Sequence, residues 1–177
     1  MRHRKLKIEE LKRISTEEFR LSDKIPLVVV LDNVRSLHNV GSVFRTSDAY
    51  RVEAIYLCGV STPPPNAEIH KTALGAENSV SWRYFSKTEE AVAELKSKGK
   101  VIFSIEQTEN SCLLNELALD QTKSYAVVLG NEVKGVQQSV IDLSDGVIEL
   151  PQYGTKHSLN VSVTAGIIIW EFAKQLL

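Results

Sequence analysis

Leu27-Val28-Val29-Val30-Leu31-Asp32 follows Pro26 as an unbroken apolar run rich in β-branched residues. Such runs suit strands covered on both faces of a parallel sheet, since a half-exposed strand would alternate apolar with polar side chains. Comparable runs recur at Ala54 to Cys58, Val101 to Ile105, Tyr125 to Leu129 and Gly146 to Leu150. Helical spacing separates them at Val40 to Tyr50, Thr88 to Lys98, Val136 to Leu143 and Leu159 to Leu177. Strands alternating with helices predict an α/β fold, a mostly parallel sheet with helices on both faces. Ligands of such sheets bind beyond the carboxyl ends of the strands, so the loops leaving the strands are where chemistry is expected.

With 177 residues, 43% of them apolar, the chain can bury the core of one domain and needs no disulfide framework. Its 21 Lys and Arg nearly cancel 22 Asp and Glu, so bulk charge draws it to neither nucleic acid nor membrane. A polyanionic partner must then be met by cations gathered on one face. Cys58 and Cys112 have no CxxC spacing, and His3, His38, His70 and His157 have no paired ligand spacing, so no metal is expected. No apolar run reaches the length of a membrane span, and the basic N-terminus lacks the apolar stretch of a secretory signal. A reduced, cytoplasmic protein is the expectation. Residues 1–24 carry eight cations against five acids, with Leu6, Ile8, Leu11 and Ile14 near helical spacing. They predict a short basic amphipathic arm ahead of a catalytic domain at 25–177, either a solvated lead-in or an RNA contact.

The glycines exclude the common nucleotide signatures. No GxGxxG is present; Gly130 and Gly135 have phosphate-loop spacing, but Val136 and Gln137 follow where Lys and Ser or Thr would be needed. A Gly-x-Ser-x-Gly nucleophile elbow is also missing.

Three strand-to-helix loops remain. In the first, Asn39 is the expected N-cap, and Gly41 and Arg45 fall near one helical face, so that a small residue beneath a guanidinium would leave room for a ligand. Capping and a surface arginine are the plainer alternative. The second, Leu129-Gly130-Asn131-Glu132-Val133-Lys134-Gly135, is bounded by glycines that allow close backbone approach to a ligand, or that simply make a turn. The third runs from Leu150-Pro151-Gln152 through Ser158-Leu159-Asn160 into a helix apolar all round, which must be buried on several sides, by its own sheet and by a second subunit. Ser158 and Asn160 stand at the mouth of that helix, where simple capping is the plainer alternative.

These segments together resemble the three motifs of the SpoU/TrmH family of SPOUT-class RNA ribose 2′-O-methyltransferases. The likeness rests on Asn39, Gly41 and Arg45, on Leu129 to Gly135, and on Leu150 to Val163, with a further similar stretch at His70 to Ala76. The resemblance implies a C-terminal trefoil knot, an obligate homodimer, and S-adenosylmethionine as methyl donor without any metal. It places the donor against Leu129, Gly130, Leu150, Leu159, Ser158 and Asn160. It assigns catalysis to Arg45, Asn39, Glu132, Ser158 and Asn160, with Arg45 either activating the hydroxyl or anchoring an adjacent phosphate. Gln152, where the family usually has Met, departs from the pattern near the donor. RNA would be met by Arg2, Arg4, Lys5, Lys7, Arg35, Lys71 and Lys156. Members act on tRNA or on rRNA, and the text around Gln152 and Ile169-Trp170-Glu171-Phe172 most resembles enzymes of the tRNA D-loop guanosine. A catalytically silent RNA-binding paralogue is the rival reading; it should have lost Arg45, Ser158 or Asn160, and all three are present.

Overall fold

The computed structural model describes residues 3–177. In chain order the elements are α1 (Thr16–Leu21), β1 (Ile25–Asp32), α2 (Leu37–Ala49), β2 (Val52–Cys58), α3 (Ala67–Ala73), α4 (Ala76–Ser79) and β3 (Trp82–Phe85). There follow α5 (Thr88–Ser97), β4 (Val101–Ile105), β5 (Cys112–Leu113), β6 (Tyr125–Leu129), α6 (Gln138–Leu143), β7 (Gly146–Glu149) and α7 (Val161–Leu176). The strands form one sheet in the order β3-β2-β1-β6-β4-β7-β5, and every pairing is parallel.

Leu27 to Asp32 lie in β1, an interior strand paired with β2 on one side and β6 on the other. Leu27, Val29 and Leu31 enter the larger core, with Val40, Val43 and Phe44 of α2 and Ile168, Ile169 and Phe172 of α7. Val28 and Val30 point the other way, toward Ala91, Val92 and Leu95 of α5 and Val140 of α6. This period-two division buries both faces and accounts for the unbroken apolar text.

The chain runs outward from β1 through β2 to β3, then crosses to β4 and leaves a gap that β6 later fills. The direction of winding therefore reverses beside β1, and the crevice that such a reversal opens lies at the carboxyl ends of β1, β6 and β4. All five expected strands and all four expected helices are present within a few residues of their predicted bounds. β3 and the two-residue β5 were not anticipated: both lie at sheet edges, and β3 is half exposed, so neither carries a buried-strand signature.

The N-terminal expectation needs correction. Ile8–Leu11 is only a 3-10 turn, and Leu6, Ile8, Leu11 and Ile14 are all exposed, Ile8 at 82%. Within this chain they have no surface to pack on, so their spacing produces no continuous amphipathic helix. Regular structure begins at α1, where Ser15 accepts from the Glu18 N–H, Glu18 accepts from the Ser15 N–H, and Phe19 is buried.

Candidate functional site

A cavity of about 720 Å³ lies in the crevice. Its walls come from the end of β4 (Ile105 to Thr108), the end of β6 and its loop (Leu129 to Val136), and the segment after β7 (Leu150, Gln152 and His157 to Val161). All six residues expected at a donor site, Leu129, Gly130, Leu150, Ser158, Leu159 and Asn160, line it, and so does Glu132.

The loop after β6 closes on itself. Asn131 and Gly135 exchange backbone hydrogen bonds at 3.0 and 2.9 Å, while Asn131 Oδ1 accepts from the N–H groups of Val133 and Lys134. Gly130 is required by this closure, since a Cβ there would lie 2.1 Å from the Gly135 carbonyl carbon. Below the loop, the fully buried Asp32 at the end of β1 accepts from the Gln137 N–H, the Gln137 side-chain amide and the Thr88 hydroxyl. The loop's backbone N–H groups are thus paired within the loop and with Asp32 beneath it, which restrains its conformation.

Glu132 joins the three segments. Its carboxylate accepts from the N–H groups of Arg35 and Ser36 at 3.0 and 2.9 Å and from the Asn39 amide at 3.1 Å. Burial pushes its pKa up, but these donors outweigh burial and hold the group below the ordinary carboxylate value. Asn39 Oδ1 in turn accepts from the Asn160 amide at 3.2 Å. One hydrogen-bonded row, Glu132 to Asn39 to Asn160, therefore links the loops after β1, β6 and β7.

Two expectations about α2 are corrected. The N-cap is Ser36, whose hydroxyl accepts from the Asn39 N–H, so Asn39 sits inside the first turn and its amide is free to reach Glu132 and Asn160. Gly41 leaves room for α3 and not for a ligand: a Cβ there would come within 2.2 Å of Thr72 Oγ1 and 2.3 Å of the Ile69 carbonyl oxygen. Asn160 does cap α7, accepting from the Ser162 and Val163 N–H groups, so its capping and its contact with Asn39 coexist.

Arg45 stands apart. It is exposed and lines a second cavity of about 540 Å³ with Ser42, Thr46, Ala49, Tyr50, Lys71, Thr72 and Gly166. Among the cations assigned to RNA, Arg2 lies outside the described residues. Lys5, Lys7, Arg35 and Lys156 are exposed; Arg4 pairs with Glu10, and Lys71 with Glu68. Lys71 alone of these shares the cavity of Arg45. Sequence reasoning missed Glu106, Gln107 and Thr108 as walls of the first cavity; they directly follow a buried strand, the only signal available. Among the described residues, no cluster of three or more His, Cys, Asp or Glu could hold a metal ion, and no helix is long and apolar enough to cross a membrane.

The family model described as the SpoU rRNA methylase family matches residues 26–170. A tRNA (guanosine(18)-2′-O)-methyltransferase of Aquifex aeolicus is 34% identical over 84% of this chain and 69% of its own length. The 23S rRNA (guanosine-2′-O-)-methyltransferase RlmB of Neisseria meningitidis is 31% identical over 85% of this chain, which spans 59% of that protein. In structure, an AdoMet-bound rRNA methyltransferase from Sinorhizobium meliloti superposes with a TM-score of 0.79 at 25% identity, covering 90% of this chain and 60% of that one.

Proposed function

The chain belongs to the SpoU rRNA methylase family, and from that premise we propose that it transfers a methyl group from S-adenosylmethionine to a ribose 2′-hydroxyl of RNA. The observation that carries the reading is the row Glu132–Asn39–Asn160, which draws the three motif loops together at the rim of the first cavity. A cavity of about 720 Å³ accommodates a nucleoside-sized ligand, and its glycine-bounded loop lets main chain approach closely. Leu129, Gly130, Leu150, Ser158, Leu159 and Asn160 would hold the donor there.

The donor's sulfonium makes its methyl carbon electrophilic. The 2′-oxygen forms the new bond to that carbon as the carbon–sulfur bond breaks, and the hydroxyl proton must leave. Positioning of this kind contributes about 7–11 kcal/mol, more than the 10²- to 10⁴-fold typical of a well-placed base. Arg45 serves the acceptor. A guanidinium stays protonated at neutral pH, so it aligns and acidifies the hydroxyl through an adjacent phosphate more readily than it takes the proton.

The catalytic domain spans 25–177 together with α1, whose Phe19 is buried in the same core, and the basic stretch ahead of α1 is an arm. The chain acts as a homodimer in the cytoplasm, with α7, exposed at Val163, Ile167 and Trp170 beside the Arg45 cavity, facing the second copy. The C-terminal trefoil knot is supported by the insertion of β6 between β1 and β4 and by the return of the chain after β7 to place α7 against α2. The substrate is tRNA, at the D-loop guanosine that the sequence resemblance suggests; the name of the Aquifex relative, a tRNA (guanosine(18)-2′-O)-methyltransferase, supports a tRNA guanosine, and rRNA is the alternative, after RlmB. Incubation with radiolabelled donor and purified tRNA or rRNA, followed by mapping of the modified ribose, tests the activity and the substrate together. Label in the tRNA D-loop supports the full reading, label in rRNA redirects the substrate, and no label in either overturns it in favour of a silent paralogue.

A further inference from the structure

Glu106 leaves the end of β4 and lines the first cavity, outside every motif recognised in the sequence. Its Oε2 accepts from the Val136 N–H at 3.0 Å and its Oε1 from the Gln107 N–H at 2.9 Å. Among the described residues no Lys, Arg or His pairs with it. The opposing loop is shaped around it: Gly135 has φ 67°, and a Cβ there would lie 2.1 Å from Glu106 Oε2. A side chain at 135 would be strained by its backbone and would also displace the carboxylate.

The acid is therefore held by two backbone donors, with Gly135 packed against one of its oxygens and no counter-cation. A carboxylate oxygen has two lone pairs, and here each oxygen has given one to a backbone N–H. Each oxygen keeps one further acceptor position, and the complement of two such neighbouring positions is a pair of vicinal hydroxyls. Acidic side chains meet ribose in this manner at the strand ends of other α/β nucleotide sites. Ile105, Leu129 and Ile141, from the same cavity wall, supply the apolar surface that a flat base beside such a ribose requires.

We propose that Glu106 receives the ribose 2′,3′-diol of the methyl donor and so sets its selectivity for a ribonucleoside. The assignment rests on reading this cavity as the donor site. The competing ligand group is the donor's α-ammonium, which a carboxylate would also accept, and the test separates the two. Titrate the wild-type protein and Glu106→Gln with S-adenosylhomocysteine, with 5′-methylthioadenosine, which keeps the diol but lacks the amino acid, and with the 2′-deoxy form of S-adenosylhomocysteine.

The expected result is that Glu106→Gln weakens the first two ligands by the same factor, about 10-fold or more. The 2′-deoxy form binds the wild type about 10-fold more weakly than its parent, and this preference falls to within about threefold in the variant. Weakening confined to S-adenosylhomocysteine assigns Glu106 to the ammonium and overturns the proposal. Equal affinity of the wild type for the deoxy and parent ligands also overturns it, and that comparison needs no variant to fold. A wild type that binds none of the three ligands overturns the donor-site reading itself, a distinct result.

Discussion

The two cavities are built to different standards. The first is finished by the chain alone: it opens at the carboxyl ends of parallel strands, and its loops are fixed by paired backbone groups and a buried carboxylate beneath them. The second lies between α2, α3 and α7, carries Arg45 and Lys71, and is bordered by an α7 whose Trp170 is 52% exposed. Asn39 and Arg45 belong to the same helix, yet six residues carry Arg45 about 9 Å along the axis and about 240° around it. On the function proposed above, one protomer would hold a complete place for the donor and an incomplete place for the acceptor. The missing wall is what a second copy supplies in the homodimer proposed above.

Removing the guanidinium is the strongest way to sharpen this division. Arg45→Ala should lower the methylation rate by at least about 10²-fold while leaving S-adenosylhomocysteine affinity nearly intact, read by initial rates and by titration. Parallel losses in both would merge the two cavities into one function. Mixing this variant with a second, disabled at the donor cavity by Gly130→Val, should restore activity toward about a quarter of wild type. Half of the dimers would be mixed, and one of their two sites would be intact. An inactive mixture of folded dimers would place the whole active site within one protomer.

Stability distinguishes the cavities next. Gly41→Ala should cost about 1–3 kcal/mol in urea unfolding, because the added methyl meets α3 backbone that cannot yield. An unchanged midpoint would mean that α3 moves freely against α2. The smallest effect belongs to Glu132→Gln, about 1 kcal/mol at neutral pH given its exposure. The folded-state pKa of Glu132 is lowered, so its contribution is present above the unfolded carboxylate value near about 4.3 and is lost as pH falls through the folded one. Thermal melts of the wild type and the variant should therefore converge on acidification across that window. A constant gap would remove Glu132 from the junction of the three loops.

Much of this was legible in the text of the chain. Val28 and Val30 on one side of β1, with Leu27, Val29 and Leu31 on the other, required a sheet covered twice, and the motif loops meet through Glu132, Asn39 and Asn160 as their likeness to a family implied. Other features could not be read. Ser36 and Asn39 are equally good caps, so only coordinates could decide where α2 begins. Gly41 announced a close approach without naming what approaches. The separation of Arg45 from the first cavity depends on how α2 is rotated against α3 and α7, which the order of residues along one helix does not contain. Glu106 follows an ordinary buried strand, and its importance emerges only beside Gly135, a residue brought to it by a parallel strand pairing.

Two opposite hydrogen-bonding demands meet at position 160. Its oxygen is committed to the opening turn of α7 and its nitrogen to Asn39, so the side chain must accept on one side and donate on the other. Aspartate keeps the first and forfeits the second; serine is too short to span both; glutamine's extra methylene displaces the two together. A single short amide is therefore the common hinge pin of α2 and α7, which together line the second cavity.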